Sequence, residues 1–267
     1  MLKVLGLDWR ISLAAECWFY FRTCANWRLV IQGRLRKMFF DRFELRTGQV
    51  IAFPDVPPWQ IFQEIWRRFT YTRGYSTDCS PHLVVDIGAN IGFFSFYAAH
   101  RWPQAKILAF EPAPENIKWF RRNIESSNAN TIFLHPVAVA GLEGQKTLFM
   151  KKEHGWHSFW RNGAESEILV ETTTLGAIIA QNGCSTIDLL KLDCEGSEYE
   201  IFEGCETLLA KYVRFISMEY HEVGGHHVGE LQEILHRAGF VFECFPVPGW
   251  KTGLLYARNL ALEIGQR

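Results

Sequence analysis

Val84-Val85-Asp86-Ile87-Gly88-Ala89-Asn90-Ile91-Gly92 is the stretch on which the fold turns. A short, mostly apolar run over 83–87 passes into two glycines four residues apart, then into residues 93–101, whose texture is helical. This order predicts a strand, a tight turn and a helix. Working outward, 106–110 reads as the next strand, 115–126 as a helix and 131–139 as a third strand. Residues 145–150 and 168–173 read as added strands joined by the polar segment 154–167. Then come a buried strand over 187–192, a helix over 197–209 and a strand over 213–218. An amphipathic helix over 228–237 ends at Gly239, and strands over 241–245 and 254–256 close the sheet. Strands and helices alternating at this length mean an α/β fold with a mostly parallel, doubly wound sheet.

In such a sheet ligands sit at the carboxyl ends of the strands. Gly88 and Gly92 permit a tight turn and close approach to the backbone. Their spacing is not that of a pyrophosphate binder, because Asn90 stands where a second glycine is required. Asp86 is read as aiming a carboxylate at the crevice, where it repels a pyrophosphate and attracts an ammonium or sulfonium. That argues against a dinucleotide and for S-adenosylmethionine. Glu111, 25 residues after Asp86, closes the neighbouring strand, where a carboxylate suits the hydroxyls of a ribose. Plain turn glycines and a solvated strand end are the competing reading of each residue taken singly.

Several further blocks share this order: Phe110-Glu111-Pro112 with Asn116 and Asn123, Pro136-Val137-Ala138-Val139, and Thr172-Thr173-Thr174-Leu175. Leu190-Lys191-Leu192-Asp193-Cys194-Glu195-Gly196-Ser197-Glu198 and Met218-Glu219-Tyr220-His221 complete the series. Together, over about residues 82–245, they resemble the FkbM family of S-adenosylmethionine-dependent methyltransferases. The resemblance implies a Rossmann-like class I methyltransferase fold: a mostly parallel seven-stranded sheet, its last pair antiparallel, flanked by helices. It implies O-methylation of a sugar, glycolipid or polyketide hydroxyl. It also implies that Asp86, Gly88, Asn90 and Gly92 meet the methionine part, Glu111 the ribose, and Val137 and Ala138 the adenine, with Pro112 and Asp193 also among the donor-binding residues. Cys194 departs from the β-branched or other apolar residue more usual there, and a buried Cys fills similar space.

An aliphatic hydroxyl needs a place for its proton before it attacks a methyl group. Asp193 and His221, at the ends of neighbouring strands, are the candidates, and His221 suits a base at neutral pH. Asp193, Glu195 and Glu219 allow a second reading, a Mg²⁺ held against the acceptor, ranked below the metal-free one. His226 and His227 are neighbours and make a poor chelate. His154 and His157 lie beside Trp156 and Trp160, where a loop could stack on a sugar ring.

The 267 residues carry 28 Lys+Arg against 29 Asp+Glu and are 48% hydrophobic, which excludes disorder. Residues 1–46 hold nine basic and four acidic residues, a net of +5 that leaves −6 for the rest. Lys3, Arg10, Trp9, Trp18, Phe21 and Trp27 belong to this basic, aromatic head. Leu13, Cys17, Phe21, Cys24, Trp27 and Ile31 fall three or four apart, so helix is read through about residue 50. The head is read either as a helix packed on the main domain or as a peripheral contact with anionic lipid. Asp55-Val56-Pro57-Pro58 is a turn, and the division is drawn as 1–75 for the N-terminal helical segment and 76–267 for the methyltransferase domain. The seven cysteines form no C-x-x-C pair, so neither zinc nor a disulfide framework is expected. No membrane span or signal peptide is read, and the location expected is cytoplasmic, with membrane association through the head as an addition. Nucleic acid is not expected as a partner: no strand ends in the Pro-Pro motif of DNA base methylases, and the acidic part offers no phosphate track. A protein acceptor, or a module that binds the cofactor without catalysis, stands as the alternative.

Overall fold

The computed structural model describes residues 13–54, 57–75, 80–150, 158, 166–183 and 185–264. The expectations for Lys3, Trp9, Arg10, the Asp55-Val56 turn, His154, Trp156, His157 and Trp160 lie outside the described residues. Helices α1 (Leu13–Thr23) and α2 (Trp27–Arg36), the hairpin of β1 (Arg42–Glu44) and β2 (Val50–Ala52), and α3 (Trp59–Trp66) come first. The alternating part opens with β3 (Leu83–Ile87), α4 (Phe93–Arg101), β4 (Lys106–Phe110), α5 (Pro114–Ser127) and β5 (Ile132–His135). It continues with β6 (Ala138–Val139), β7 (Gly144–Met150), β8 (Ser166–Thr173), α6 (Leu175–Gln181), β9 (Ile187–Leu192), α7 (Glu198–Phe202) and α8 (Glu206–Tyr212). It ends with β10 (Val213–His221), α9 (Val228–Arg237), β11 (Phe240–Pro246), β12 (Thr252–Asn259) and α10 (Leu260–Ile264).

The main sheet has seven strands in the order β11-β12-β10-β9-β3-β4-β5, with β12 antiparallel to both its neighbours and the other pairings parallel. This is the Rossmann-like class I methyltransferase arrangement. Register follows from the period-2 alternation of side chains. Val84 faces the same side as its partners Ile107 and Leu189, and Val85 the opposite side with Leu108 and Leu190. A one-residue slip would exchange those two cores, so the pairing is strongly specified. β6, β7 and β8 form a second sheet of three strands.

The N-terminal part shares the core on the face that carries Val84. Phe43 stacks on Phe62 with ring centroids 4.0 Å apart and meets Phe93 of α4 edge-on. Asn123 of α5 ties this part to the glycine turn: its Oδ1 accepts from Ala52 N–H, and its Nδ2 donates to the carbonyls of Ala52 and Ile91. Because Asn123 is fully buried, Asn123→Ala is expected to cost about 1–3 kcal/mol by stranding those groups. A urea midpoint equal to that of the parent chain would contradict this.

Several expected elements are cut where a local donor or a breaker intervenes. The helix read through about residue 50 is interrupted after Thr23 and ends at Arg36; the Asn26 side chain accepts from Glu44 N–H and donates to the Arg42 carbonyl, anchoring the hairpin that replaces its last part. Residues 42–52 are therefore strand and turn. Pro136 has no N–H for a ladder, and the strand read over 131–139 divides there into β5 and β6. Gly204, at φ +68°, divides the helix read over 197–209. α6 is an addition to the elements the sequence predicts, and Thr174 caps it by accepting from Ala177 N–H. α1, α2 and the residues after them leave Trp18, Leu35 and Phe39 exposed beside Arg22, Arg28 and Arg36, the surface to which the lipid reading refers. Among the described residues no helix is long and apolar enough to cross a membrane.

Candidate active site

The carboxyl ends of β3, β4 and β9 surround a cleft of about 620 Å³, open mouth included. Gly88, Asn90, Glu111, Pro112, Ala138 and Asp193 all line it, so six of the residues read from sequence converge there. Gly88 has φ +72°, and a Cβ on it would lie 1.9 Å from the Asp193 carbonyl oxygen. The loops after β3 and β9 cross at that point, and only a glycine fits between them.

Glu111 is held from three sides. Asn90 N–H, Ala113 N–H and Asn116 Nδ2 donate to it at 2.8, 2.9 and 3.2 Å. Burial raises its pKa, opposed by those hydrogen bonds. A carboxylate has about four acceptor positions, so one remains, on Oε2, which carries only the Asn90 bond.

Asp86, Gly92 and Val137 do not line the cleft. Asp86 is fully buried, 3.0 Å from Lys191 Nζ, and accepts from Ser95 Oγ at 2.6 Å. The expectation that it faces a sulfonium is corrected: its side chain points to the α4 side of the sheet, and its charge is answered by Lys191. Gly92 is a packing glycine, where a Cβ would strike the Phe120 ring at 2.4 Å. Val137 packs against the core of the opposite face, and Val139 lines the cleft beside Ala138. The negative charge of the cleft comes from Glu111, Asp193 and Glu195 instead, and among its described lining residues there is no Lys or Arg.

At the mouth, Tyr71 OH donates to Asp193 Oδ2 at 2.7 Å. His221 is the last residue of β10, which runs three residues past the end at Met218 that the sequence predicts. Its Nδ1 lies 3.1 Å from Glu198 Oε1, and its Nε2 lies 3.7 Å from Glu195 Oε2 and 4.0 Å from Glu219 Oε1. Burial pulls the imidazole pKa down, but Glu198, Glu195 and Glu219 outweigh it and push it up to about 10. These carboxylates favour the protonated imidazole, which weighs against the base role read for His221 from sequence. Glu219 is raised by burial and by Asp193. Of the metal set read as Asp193, Glu195 and Glu219, the first two recur: among the described residues, the group whose ligand atoms all lie within 4.8 Å of one another is Asp193, Glu195 and His221. Cys17, Cys24, Cys194, Cys205 and Cys244 are free thiols, and Cys79 and Cys184 lie outside the described residues.

Sequence reasoning gave no role to Tyr71, Lys191, Glu198 or Ser158, whose Oγ donates to the Glu195 carbonyl at the cleft. Lys191 carried a usable signal, being the only cation in a strand buried along its whole length, where a counter-charge is obligatory.

Comparison with known proteins agrees with this geometry. The profile described as the Methyltransferase FkbM domain matches residues 86–242. The chain belongs to the FkbM methyltransferase family. This is a family of S-adenosylmethionine-dependent methyltransferases. Among its relatives, methyltransferase sdnD of Sordaria araneosa is 29% identical over 218 residues, 66% of this chain and 83% of that one. The 31-O-demethyl-FK506 methyltransferase FkbM of Streptomyces tacrolimicus is 28% identical over 232 residues, 75% and 88% of the two chains. A solved structure, methyltransferase FkbM from Methylobacillus flagellatus KT, is 16% identical, with a TM-score of 0.48 over 73% of this chain and 47% of that one.

Proposed function

We propose that the cleft binds S-adenosylmethionine and that the protein methylates a hydroxyl of a sugar, glycolipid or polyketide-type metabolite. The observation that carries this reading is the charge of the cleft: three carboxylates and, among the described lining residues, no Lys or Arg. A pyrophosphate would meet repulsion there, and a sulfonium would meet attraction. Glu111 Oε2, with one acceptor position left, receives a ribose hydroxyl. Gly88 and Asn90 lie against the methionine part, and Ala138 and Val139 beside the base. When bound, the donor supplies an electrophilic methyl carried on a positively charged sulfur. Transfer breaks the carbon–sulfur bond, leaves its electron pair on sulfur and joins the carbon to the acceptor oxygen.

The chain's own contribution is to hold that oxygen in line and draw off its proton. Alignment can contribute several kcal/mol, about 7–11 at best. Asp193, fixed by Tyr71, is the carboxylate at the mouth that takes the hydroxyl proton, and His221 sits beside it as a positioning residue. O-methylation draws support from the 31-O-demethyl-FK506 methyltransferase among the relatives.

A charge-assisted hydrogen bond contributes about 1.5–3 kcal/mol. Glu111→Ala is therefore expected to weaken S-adenosylmethionine binding at least about tenfold by calorimetry. A coupled assay for S-adenosylhomocysteine with sugar, lipid and polyketide acceptors tests the activity. Tight binding of a dinucleotide by a chain that ignores S-adenosylmethionine would overturn the reading. Turnover on protein acceptors alone would replace the acceptor class.

A further inference from the structure

We propose that Asp193, Glu195 and His221 form a divalent-cation site at the mouth of the cleft, and that this cation selects acceptors presenting two neighbouring oxygens, such as a vicinal diol or an α-hydroxy acid. The inference rests on the methyl-transfer reading for its substrate class, while the cation site itself is independent of it.

The ligand atoms of the three residues lie within 4.8 Å of one another. Bonds of about 2.0–2.2 Å to one ion require separations no greater than about 4.4 Å, so closure by a few tenths of an ångström suffices. Two elements of the fold deliver them, the loop after β9 and the end of β10. Asp193 follows β9, Glu195 stands two residues on in the left-handed region at φ +55°, and His221 ends β10.

The His221 and Asp193 side chains are also held from behind, which is how metal sites orient their ligands. Glu198 Oε1 lies 3.1 Å from His221 Nδ1 and is itself fixed by Cys194 N–H, so the imidazole turns Nε2 toward Glu195. Tyr71 holds Asp193 Oδ2 and leaves Oδ1 for a ligand. Ser158 donates to the Glu195 carbonyl. This outer set is a second observation, separate from the cluster, and part of it is fully buried: Glu198 is 0% exposed, and its Oε2 has no hydrogen-bond partner among the described residues. Glu219, 4.0 Å from His221 Nε2, adds a further carboxylate, whereas the nearby Lys191 is paired with Asp86. Among the described residues the mouth thus holds more carboxylate than cation.

One imidazole with two carboxylates suits Mn²⁺, Zn²⁺ or Mg²⁺ and leaves coordination positions open. An acceptor filling two of them is fixed in orientation. Its hydroxyl also becomes more acidic beside the ion, losing the proton to solvent at the open mouth. Asp193 then acts through the cation and not as the lone proton acceptor.

The test is calorimetric titration of the full-length chain, stripped with EDTA and dialysed, with Mn²⁺ alone. One Mn²⁺ per chain is expected, with affinity lowered at least tenfold in Glu195→Gln and in His221→Gln. Glu198→Gln, which touches only the back of the imidazole, is expected to lower it by about 10–100-fold. His226→Gln, at an exposed pair with Glu230, is expected to leave it unchanged and so controls for surface histidine binding. Urea midpoints close to that of the parent chain report that the variants are folded, and S-adenosylmethionine titrated into the parent chain tests the methyl-donor reading separately. Mn²⁺ binding absent from the parent chain, or equal in parent and variants, overturns the site. Mn²⁺ binding with no S-adenosylmethionine binding leaves the site standing and removes the methyl-donor reading.

Discussion

Lys191→Met is expected to destabilise the fold by roughly 3–5 kcal/mol, the usual cost of removing one partner of a buried ion pair. The pair is dry: the side chains of Lys191 and Asp86 are 4% and 0% exposed, and the two residues are directly opposed in the register of β9 on β3. Methionine fills most of the stem volume, so packing is largely kept and the charge of Asp86 is left with only Ser95 Oγ. Asp86→Asn added to Lys191→Met removes that orphaned charge and is expected to recover at least half of the loss. The consequence reaches the cleft, because Lys191 Nζ also donates to the Gly88 carbonyl at 2.7 Å. The single variant is therefore expected to lose donor affinity as well as stability. Urea unfolding of the parent, the single and the double variants gives the numbers. A loss under about 1 kcal/mol would mean that the pair is screened like a surface one.

The same pair explains how far the sequence could be read. β3, α4, β4, β9 and α9 occupy the residues their sequence predicts, because each is an uninterrupted run closed by a glycine, a proline or a polar turn, a signal carried within the segment and its edges. The hairpin of β1 and β2 has no such signal. It is specified by Asn26 and Asn123, which lie 16 and 71 residues away from the groups they bind, and its phenylalanines read equally well as a helix face. Strand β10 runs three residues past Met218 for a similar reason: Glu219, Tyr220 and His221 pair with Leu254, Gly253 and Thr252 of β12, a partner invisible from within the segment.

At the site, what the sequence specified was which residues meet, and what it left open was where their side chains point. Asp86 and Val84 share one face of β3, as the alternation requires, but nothing local says that this face looks at Ser95 and Lys191 and away from the cleft. Glu111, at the strand tip, is fixed by the backbone N–H groups of its own turn and of the glycine loop, so its placement was legible. His221 is the harder case. The residue was found from its position, but its protonation depends on three glutamates, of which Glu198 comes from α7 and Glu195 from the loop before it.

Gly88→Ala is expected to abolish binding of S-adenosylmethionine, by at least about two orders of magnitude in Kd, equivalent to roughly 2.8 kcal/mol. The added Cβ would lie 1.9 Å from the Asp193 carbonyl oxygen and 2.8 Å from its carbonyl carbon, and both are backbone atoms that cannot swing aside. Alanine at φ +72° adds about 1–2 kcal/mol of conformational cost of its own. Relief requires the loops after β3 and β9 to separate, and Asp193 and Glu195 travel with the second of them. The Lys191 bond to the Gly88 carbonyl resists that separation, so part of the strain appears as lost stability and the rest as a displaced cleft wall. Gly92→Ala makes an informative companion, since its Cβ meets the Phe120 ring and not backbone. That variant is expected to lose stability while keeping more of its donor affinity than Gly88→Ala does. Equal loss of affinity in the two would show that the turn acts as a single packing unit and that the crossing of the two loops at Gly88 has no special part in holding the donor.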